Sequence, residues 1–279
     1  MPSIIVPAYN ESAVIGRCLS ALNTNKEGNN ELEVIVICNG CTDNSAEIAR
    51  SFPNVQVLET SVSSKTNALN LGERVANTFP RLFLDADLII SRAEIERCFE
   101  HLNKPGIHLI APPMDINLDR SPTSVRAYYA IWKQLPYFKS RVGGVFAISK
   151  AGRERFGEFP NIIADDAFVR AHFDENERLV PNDCSFEVAP PRSLKDLVKI
   201  KTRSRFGNVQ LRSQIPDLFK DTENAANSLL ALLFSKPSLI PAAIVYAYIQ
   251  LMTYWGCKKR LKSSDYHTWE RDDSSRTKD

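Results

Sequence analysis

Little in this chain points to a single class of partner. Neither charge sign is in excess: 35 lysines and arginines stand against 33 aspartates and glutamates, a formal net charge of +2. A chain so near balance carries no overall nucleic-acid footprint, and any basic patch must be local. Histidine is scarce. The four residues, at 101, 108, 172 and 267, show no ligand spacing and are given no role. The opening Met-Pro-Ser-Ile-Ile-Val-Pro runs straight into an apolar segment, with no charged leader or cleavage site. The six scattered cysteines are therefore expected as free thiols in a reducing cytoplasm rather than as a disulfide framework. No internal repeat and no low-complexity linker precedes a polar tail that begins at Ser263.

What is present is ordinary globular material. Over 279 residues, 43% are hydrophobic and 24% charged, enough for one large core or two modest ones. The first half alternates short apolar runs with helical patterns. Ile4–Pro7, Glu33–Cys38, Val55–Leu58, Arg81–Leu84 and Ile107–Ala111 read as strands. Ala13–Leu22, Ser45–Ser51 and Lys65–Ala76 read as helices, and Ser91 with Glu94 has the spacing of a capping box opening a helix to Leu102. This alternation predicts an α/β fold, a mostly parallel sheet with helices on both faces. Ligands of such sheets bind beyond the carboxyl ends of the strands. Tyr9, Asn10 and Glu11, then Asn39 to Asp43, then Asp85 and Asp87, are thereby expected along one edge.

The second half is less regular. Ser121-Pro122 starts a helix carrying Tyr128, Tyr129 and Trp132, which are expected in a core more than in a sugar site. Val142–Ser149 reads as a strand and Asp165–Phe173 as a helix, while Arg192 to about Lys220 is basic, mostly polar and expected as a solvated face.

Two acidic pairs carry the chemistry. Asp85-Ala86-Asp87 follows an apolar strand, where two carboxylates one residue apart can hold a hard divalent cation such as Mn2+ or Mg2+ that also needs phosphate oxygens; the plain alternative is a solvated turn. Asp165-Asp166 sets two carboxylates side by side, and their repulsion raises at least one proton affinity toward the range of a general base. The plain alternative is a helix N-terminus, which favours acidic residues in any case.

Val6-Pro7-Ala8-Tyr9-Asn10-Glu11, Asn39-Gly40-Cys41-Thr42-Asp43, Lys65 with Ala68-Leu69-Asn70-Leu71-Gly72, and Asp85-Ala86-Asp87 occur in that order. The series resembles the nucleotide-binding half of family 2 glycosyltransferases with the GT-A fold. Gly143-Gly144 with Ala147, and Asp165-Asp166, match that family's acceptor-side elements, and the likeness runs from Ile4 to about Phe206. The resemblance implies that Pro7, Ala8, Tyr9 and Glu11 hold the base and ribose of a donor. It places Lys65 near the nucleotide, and Asp85, Ala86 and Asp87 at ribose and metal, with Asp85 and Asp87 as the metal ligands. It makes Asp166, beside Asp165, the base that deprotonates an acceptor hydroxyl, giving inversion. Asn39 stands where the family usually has an aspartate; it keeps an acceptor and adds donors but carries no charge. The family's Gln/Arg-x-x-Arg-Trp element survives only as Thr202-Arg203-Ser204-Arg205-Phe206, so Arg205 is the candidate diphosphate clamp and a single transfer is expected rather than processive synthesis. Cys38 and Cys41 have redox-motif spacing, but Cys41 sits where the family's loop often has serine, which makes substitution the simpler account.

The resemblance thus implies a metal-dependent inverting glycosyltransferase. It would use a nucleotide-diphosphate sugar and a glycan or lipid-linked acceptor, as in polysaccharide biosynthesis, and no nucleic acid. A nucleotide-sugar-binding protein without turnover is the alternative. A sugar-phosphate nucleotidyltransferase would show a Gly-rich loop near the first strand, and none is there. Along the chain, 1–111 is expected as the donor half and 112–222 as the acceptor half, with an apolar helical segment at 223–262 and a polar tail at 263–279. Pro237 to Cys257 has no charged residue and is followed by Lys258-Lys259-Arg260. Its length suits a membrane span and the basic cluster a cytoplasmic flank. A two-helix hairpin, an interfacial helix pair and a packed helical subdomain all remain open, with membrane association at the cytoplasmic face expected.

Overall fold

The computed structural model describes residues 2–22, 32–218 and 225–263. Residues 219–224, where the apolar segment was expected to begin, and all of the expected polar tail after Ser263 lie outside the described residues. Strands form at β1 (Ser3–Ala8), β2 (Glu33–Asn39), β3 (Val55–Thr60), β4 (Arg81–Leu84), β5 (Leu109–Ile110), β6 (Met114–Ile116), β7 (Val145–Ile148), β8 (Arg178–Leu179) and β9 (Phe186–Val188). Helices form at α1 (Ile15–Ala21), α2 (Ser45–Arg50), α3 (Lys65–Val75), α4 (Arg92–Leu102), α5 (Thr123–Trp132), α6 (Pro136–Lys139), α7 (Lys150–Arg153), α8 (Asp165–Ala171), α9 (Leu194–Gln214), α10 (Ala225–Ser235) and α11 (Ile240–Ser263).

The chain divides into two units, each discontinuous in sequence. One holds the residues up to Asp115 together with Val142–Val188; the other holds Ile116–Arg141 and the described residues from Ala189 on. They cut across the linear segments drawn from the sequence.

The first unit is built on a seven-stranded sheet in the order β3-β2-β1-β4-β7-β5-β8. β1 runs parallel to β2 and β4, and β2 parallel to β3. β7 alone is antiparallel to its neighbours β4 and β5, which makes the sheet mostly, not wholly, parallel. Alternation along the strands sorts the core. Ile4, Val6, Val34 and Val36 pack with Ile15, Cys18, Leu19, Ala46 and Ala49 of α1 and α2. Ile5 and Ile37 point the other way, against α3. Because both faces are covered, β1 is buried along its whole length and reads as a continuous apolar run. The capping box at Ser91 and Glu94 forms as the spacing predicts.

The second unit is helical. Tyr128 of α5 is fully buried and stacks on Tyr246 of α11 at 5.1 Å between centroids, with Tyr129 edge-on to it at 5.4 Å. The basic stretch after Arg192, expected as a polar solvated face, is instead the 21-residue helix α9 with a buried side of Leu197, Thr202, Phe206, Gly207, Gln210 and Leu211. Lys201 is a departure from that solvated face. Its ammonium lies 3.4 Å from the Trp132 ring centroid, and burial together with Arg141 lowers its pKa well below the usual lysine value.

Gly72 lets α3 sit close on the sheet: a Cβ there would come within 2.5 Å of Ile5 Cγ2 and 2.8 Å of Ile37 Cδ1. Gly72→Ala is expected to lower the free energy of unfolding by about 1–3 kcal/mol through overpacking, measured by urea denaturation; an unchanged midpoint would mean that the helix is not seated this tightly.

A candidate donor site at the sheet edge

The carboxyl ends of β1, β2 and β4 and the amino end of β7 meet at one edge of the first unit, since Asp85, just past β4, bonds through its amide to the Gly144 carbonyl at 2.8 Å. The loop after β1 turns on Asn10, whose φ of 53° lies in the left-handed region that asparagine tolerates. Its side-chain oxygen accepts the Thr42 amide at 2.7 Å, tying the first loop to the second. Asp43 extends the tie. Its carboxylate accepts the amides of Ser12 at 3.0 Å and Ser45 at 3.1 Å, while the Ser45 hydroxyl accepts the Glu11 amide at 2.7 Å. Burial works against the Asp43 carboxylate, but the donors of Ser45 and Ser12 outweigh it and hold its pKa below the usual range.

Cys41 belongs to the same tie. Its sulfur accepts the Asn10 amide at 3.3 Å and donates to the Ala8 carbonyl at 3.4 Å, which is the bonding a serine hydroxyl would provide there. A hydrogen bond from Cys38, helped by the Asn10 amide, draws its thiol down to about 7 despite partial burial. Asn39 is buried at the end of β2, Glu11 is buried, and Tyr9 is half-buried.

Around β4 the arrangement is ionic. Lys65, the first residue of α3, places its ammonium 2.6 Å from Asp85 Oδ1 and 2.9 Å from Asp165 Oδ2. Burial opposes the charge on Lys65, but Asp165 and Asp85 overcome it and raise its pKa above the ordinary lysine value. Burial likewise pushes the Asp165 carboxyl up to about 6 against the pull of Lys65, with repulsion from Asp166 and Asp85 adding to it. Asp166 is less buried, and one of its carboxylate oxygens accepts the amide of Ala167 at 2.8 Å. Gly144 makes room for this cluster, because a Cβ there would sit 2.4 Å from Asp85 Oδ2. Asn70, one face of α3 away, anchors the segment leading to Asp165: its side chain donates to the Phe159 carbonyl at 2.9 Å and accepts the Phe159 amide at 2.8 Å.

Asp85 and Asp87 are half-exposed on a turn closed by the Leu88 amide on the Asp85 carbonyl at 3.1 Å, with Ala86 buried between them. Burial raises the pKa of the Cys18 thiol, and Asp87, Asp85 and Glu11 add to the effect. Among the described residues no group of three or more His, Cys, Asp or Glu is placed to hold a metal. Lys65 already engages Asp85 Oδ1, so a hard cation on this half-exposed turn would share that carboxylate with the ammonium and take its remaining ligands from Asp87, diphosphate oxygens and water.

The family described as Glycosyl transferase family 2 matches residues 3–150. This chain is a family 2 glycosyltransferase. Among curated proteins, it is 28% identical over 131 residues to glycosyltransferase AglE of Haloferax volcanii, covering 45% of this chain and 43% of that protein. It is 36% identical over 89 residues to the glycosyltransferase YibD of Escherichia coli, covering 30% of this chain and 25% of that one. The match thus spans less than half the length of either relative. Among solved structures, the mannosyltransferase PcManGT of Pyrobaculum calidifontis, in complex with GDP-Man and Mn2+, aligns with a TM-score of 0.62 at 21% identity, covering 94% of this chain and 73% of that one. Staphylococcus aureus TarS 1–349, in complex with UDP-GlcNAc, aligns at 0.54 with 14% identity, covering 96% and 93%. The fold of this glycosyltransferase is therefore GT-A.

Of the residues singled out in the sequence, Pro7, Ala8, Tyr9, Glu11, Asn39, Lys65, Asp85, Ala86, Asp87, Gly143, Gly144, Asp165 and Asp166 all belong to the first unit of the glycosyltransferase. Arg205 belongs to the second, where its guanidinium lies 5.4 Å from the Tyr254 ring centroid and its neighbour Phe206 is buried. Asn10, Thr42, Ser45 and Asn70 went unassigned although three of them lie inside the quoted motifs; their side chains bond across loops, which residue type alone does not disclose.

Replacing Lys65 with methionine strands the buried Asp165. Lys65→Met is expected to cost about 3 kcal/mol or more of stability, and adding Asp165→Asn to recover a good part of it. Urea unfolding of the single and double variants checks this; purely additive losses would show that the two side chains are not coupled.

Proposed function

We propose that this glycosyltransferase moves one sugar, with inversion at the anomeric carbon, from a nucleoside-diphosphate sugar to a hydroxyl of a glycan or lipid-linked acceptor, using a bound divalent metal. The ion-paired cluster of Lys65, Asp85 and Asp165 is the observation that carries this reading, because it joins a donor-side carboxylate to the acceptor-side acidic pair. The GDP-Man and Mn2+ of PcManGT support the donor class and the metal.

Pro7, Ala8, Tyr9, Glu11 and Asn39 receive base and ribose, and the neutral Asn39 presents both an acceptor and donors to the base. Asp85 and Asp87 would hold the metal, with Ala86 between them contributing backbone. When bound, a divalent cation neutralises the diphosphate and makes it a better leaving group. Lys65 fixes the Asp85 carboxylate through its ion pair. Asp165, sealed by Lys65, positions the start of α8. Asp166 takes the proton of the acceptor hydroxyl as that oxygen forms its bond to the anomeric carbon, while the sugar–phosphate bond breaks and its electron pair leaves with the nucleoside diphosphate. Gly143 and Gly144 stand at the edge that receives the acceptor. The enzyme works at the cytoplasmic face of a membrane, in polysaccharide assembly.

A nucleotide-sugar panel with Mn2+ or Mg2+, with membrane extract as acceptor, tests this by nucleoside diphosphate release. Release from one donor is expected, lost with chelator and in Asp87→Ala, and reduced about a hundredfold or more in Asp166→Asn. Release indifferent to chelator would remove the metal. Tight donor binding with no release would favour a binding protein without turnover.

A further inference from the structure

Helix α11 is turned inside out. Ala243, Ile249, Thr253 and Cys257 form its buried side, with Tyr246 on Tyr128, and Gly256 so close to α9 that a Cβ would lie 3.0 Å from Thr202. The opposite side carries the larger apolar residues: Ile240, Ile244, Tyr248, Leu251 and Trp255 are between 50% and 67% exposed. Spaced at four, four, three and four residues, they share one helical face. A helix packed on a water-soluble core places its large apolar side chains inward, so a stripe of them outward, about 24 Å long, marks a surface that works against something other than water. The same face continues into Lys258, Lys259 and Lys262, all exposed. On the preceding helix α10, Phe234 is 86% exposed.

By length and composition, Pro237–Lys262 could cross a membrane. Its packing argues otherwise. The inner side of α11 is engaged with α5 and α9, and α9 exposes Lys195, Lys199, Arg205 and Arg212. Crossing the bilayer would drag those charges toward hydrocarbon. A hairpin fits poorly as well, since the described part of α10 has 11 residues and Lys220, Asp221 and Glu223 precede it in the sequence, leaving too short an apolar stretch to span. A helix with one apolar face, aromatic residues near one end and lysines beyond them suits the plane of an anionic lipid surface.

We propose that α11 is a membrane-surface helix: it lies in the headgroup plane of an anionic bilayer, with Ile244, Leu251 and Trp255 in the acyl boundary and Lys258, Lys259 and Lys262 on the phosphates. The inference deepens the membrane-face location given above, and donor turnover in solution is independent of it.

Co-sedimentation of the full-length protein with phosphatidylcholine vesicles, with and without phosphatidylglycerol, is the test. Binding is expected to the anionic vesicles, weakened by salt and fully released by alkaline carbonate. Ile244→Ser/Leu251→Ser/Trp255→Ser is expected to weaken it at least about tenfold, and Lys258→Glu/Lys259→Glu to abolish the preference for phosphatidylglycerol. Far-UV circular dichroism and binding of the nucleotide-sugar donor in solution, unchanged in both variants, show that the fold and the donor site are intact. Absence of binding to either vesicle overturns the proposal. Resistance to carbonate overturns it in favour of a span. A wild-type dimer that the triple-serine variant turns into a monomer, with no vesicle binding, assigns the face to a second copy of the chain instead.

Discussion

The ammonium of Lys65, held between Asp85 and Asp165, is the constraint on which the rest of this sheet edge depends. It satisfies a carboxylate that burial would otherwise neutralise, and it fixes a second carboxylate at the mouth of β4. Both effects need α3 to begin at this residue. That start is set by Ser64, whose side chain accepts the Asn67 amide, and the helix's seat on the sheet is set by Gly72. A single helix thus aligns three segments far apart in the chain: the turn after β4, the glycines before β7 and the start of α8. The buried pair is a weak source of net stability but a strong source of position, because removing either partner leaves a charge with no water to answer it.

The other half of the edge is held by hydrogen bonds between the loops, several of them on the Asp43 carboxylate. Asn10, Thr42, Asp43 and Ser45 lock the loops after β1 and β2 into one surface. Loops at an open sheet edge cannot lean on an apolar core, so their backbone donors and acceptors must be answered by side chains. This explains why short polar residues recur along the stretches that were quoted as motifs.

Much of this was legible in the chain. Ile4–Pro7, Glu33–Cys38 and Arg81–Leu84 stand out because strands buried on both faces read as unbroken apolar runs, and the placement of ligand residues at their carboxyl ends follows from sheet topology. The pairing of Lys65 with Asp165 was not legible, since nothing local to either residue marks the other. β5 and β8, two residues each, are too short to carry a period. Helix α9 was hidden because its buried side includes Thr202 and Gln210, polar residues that dilute the helical stripe. Lys201 was hidden with it: a lysine that packs its ammonium on indole looks, in sequence, like any other basic residue on a solvated face.

The two units interleave along the chain, since α5 interrupts the first and belongs to the second. A chain cut after Val188 would keep α5 but lose α9 and α11, leaving Tyr128 and Trp132 without the side chains that cover them. Shortening the C-terminus alone therefore does not yield the first unit free of the second. As the protein is synthesised, α5 must wait with its aromatic face open until α9 and α11 emerge, so later segments govern when the middle can finish folding.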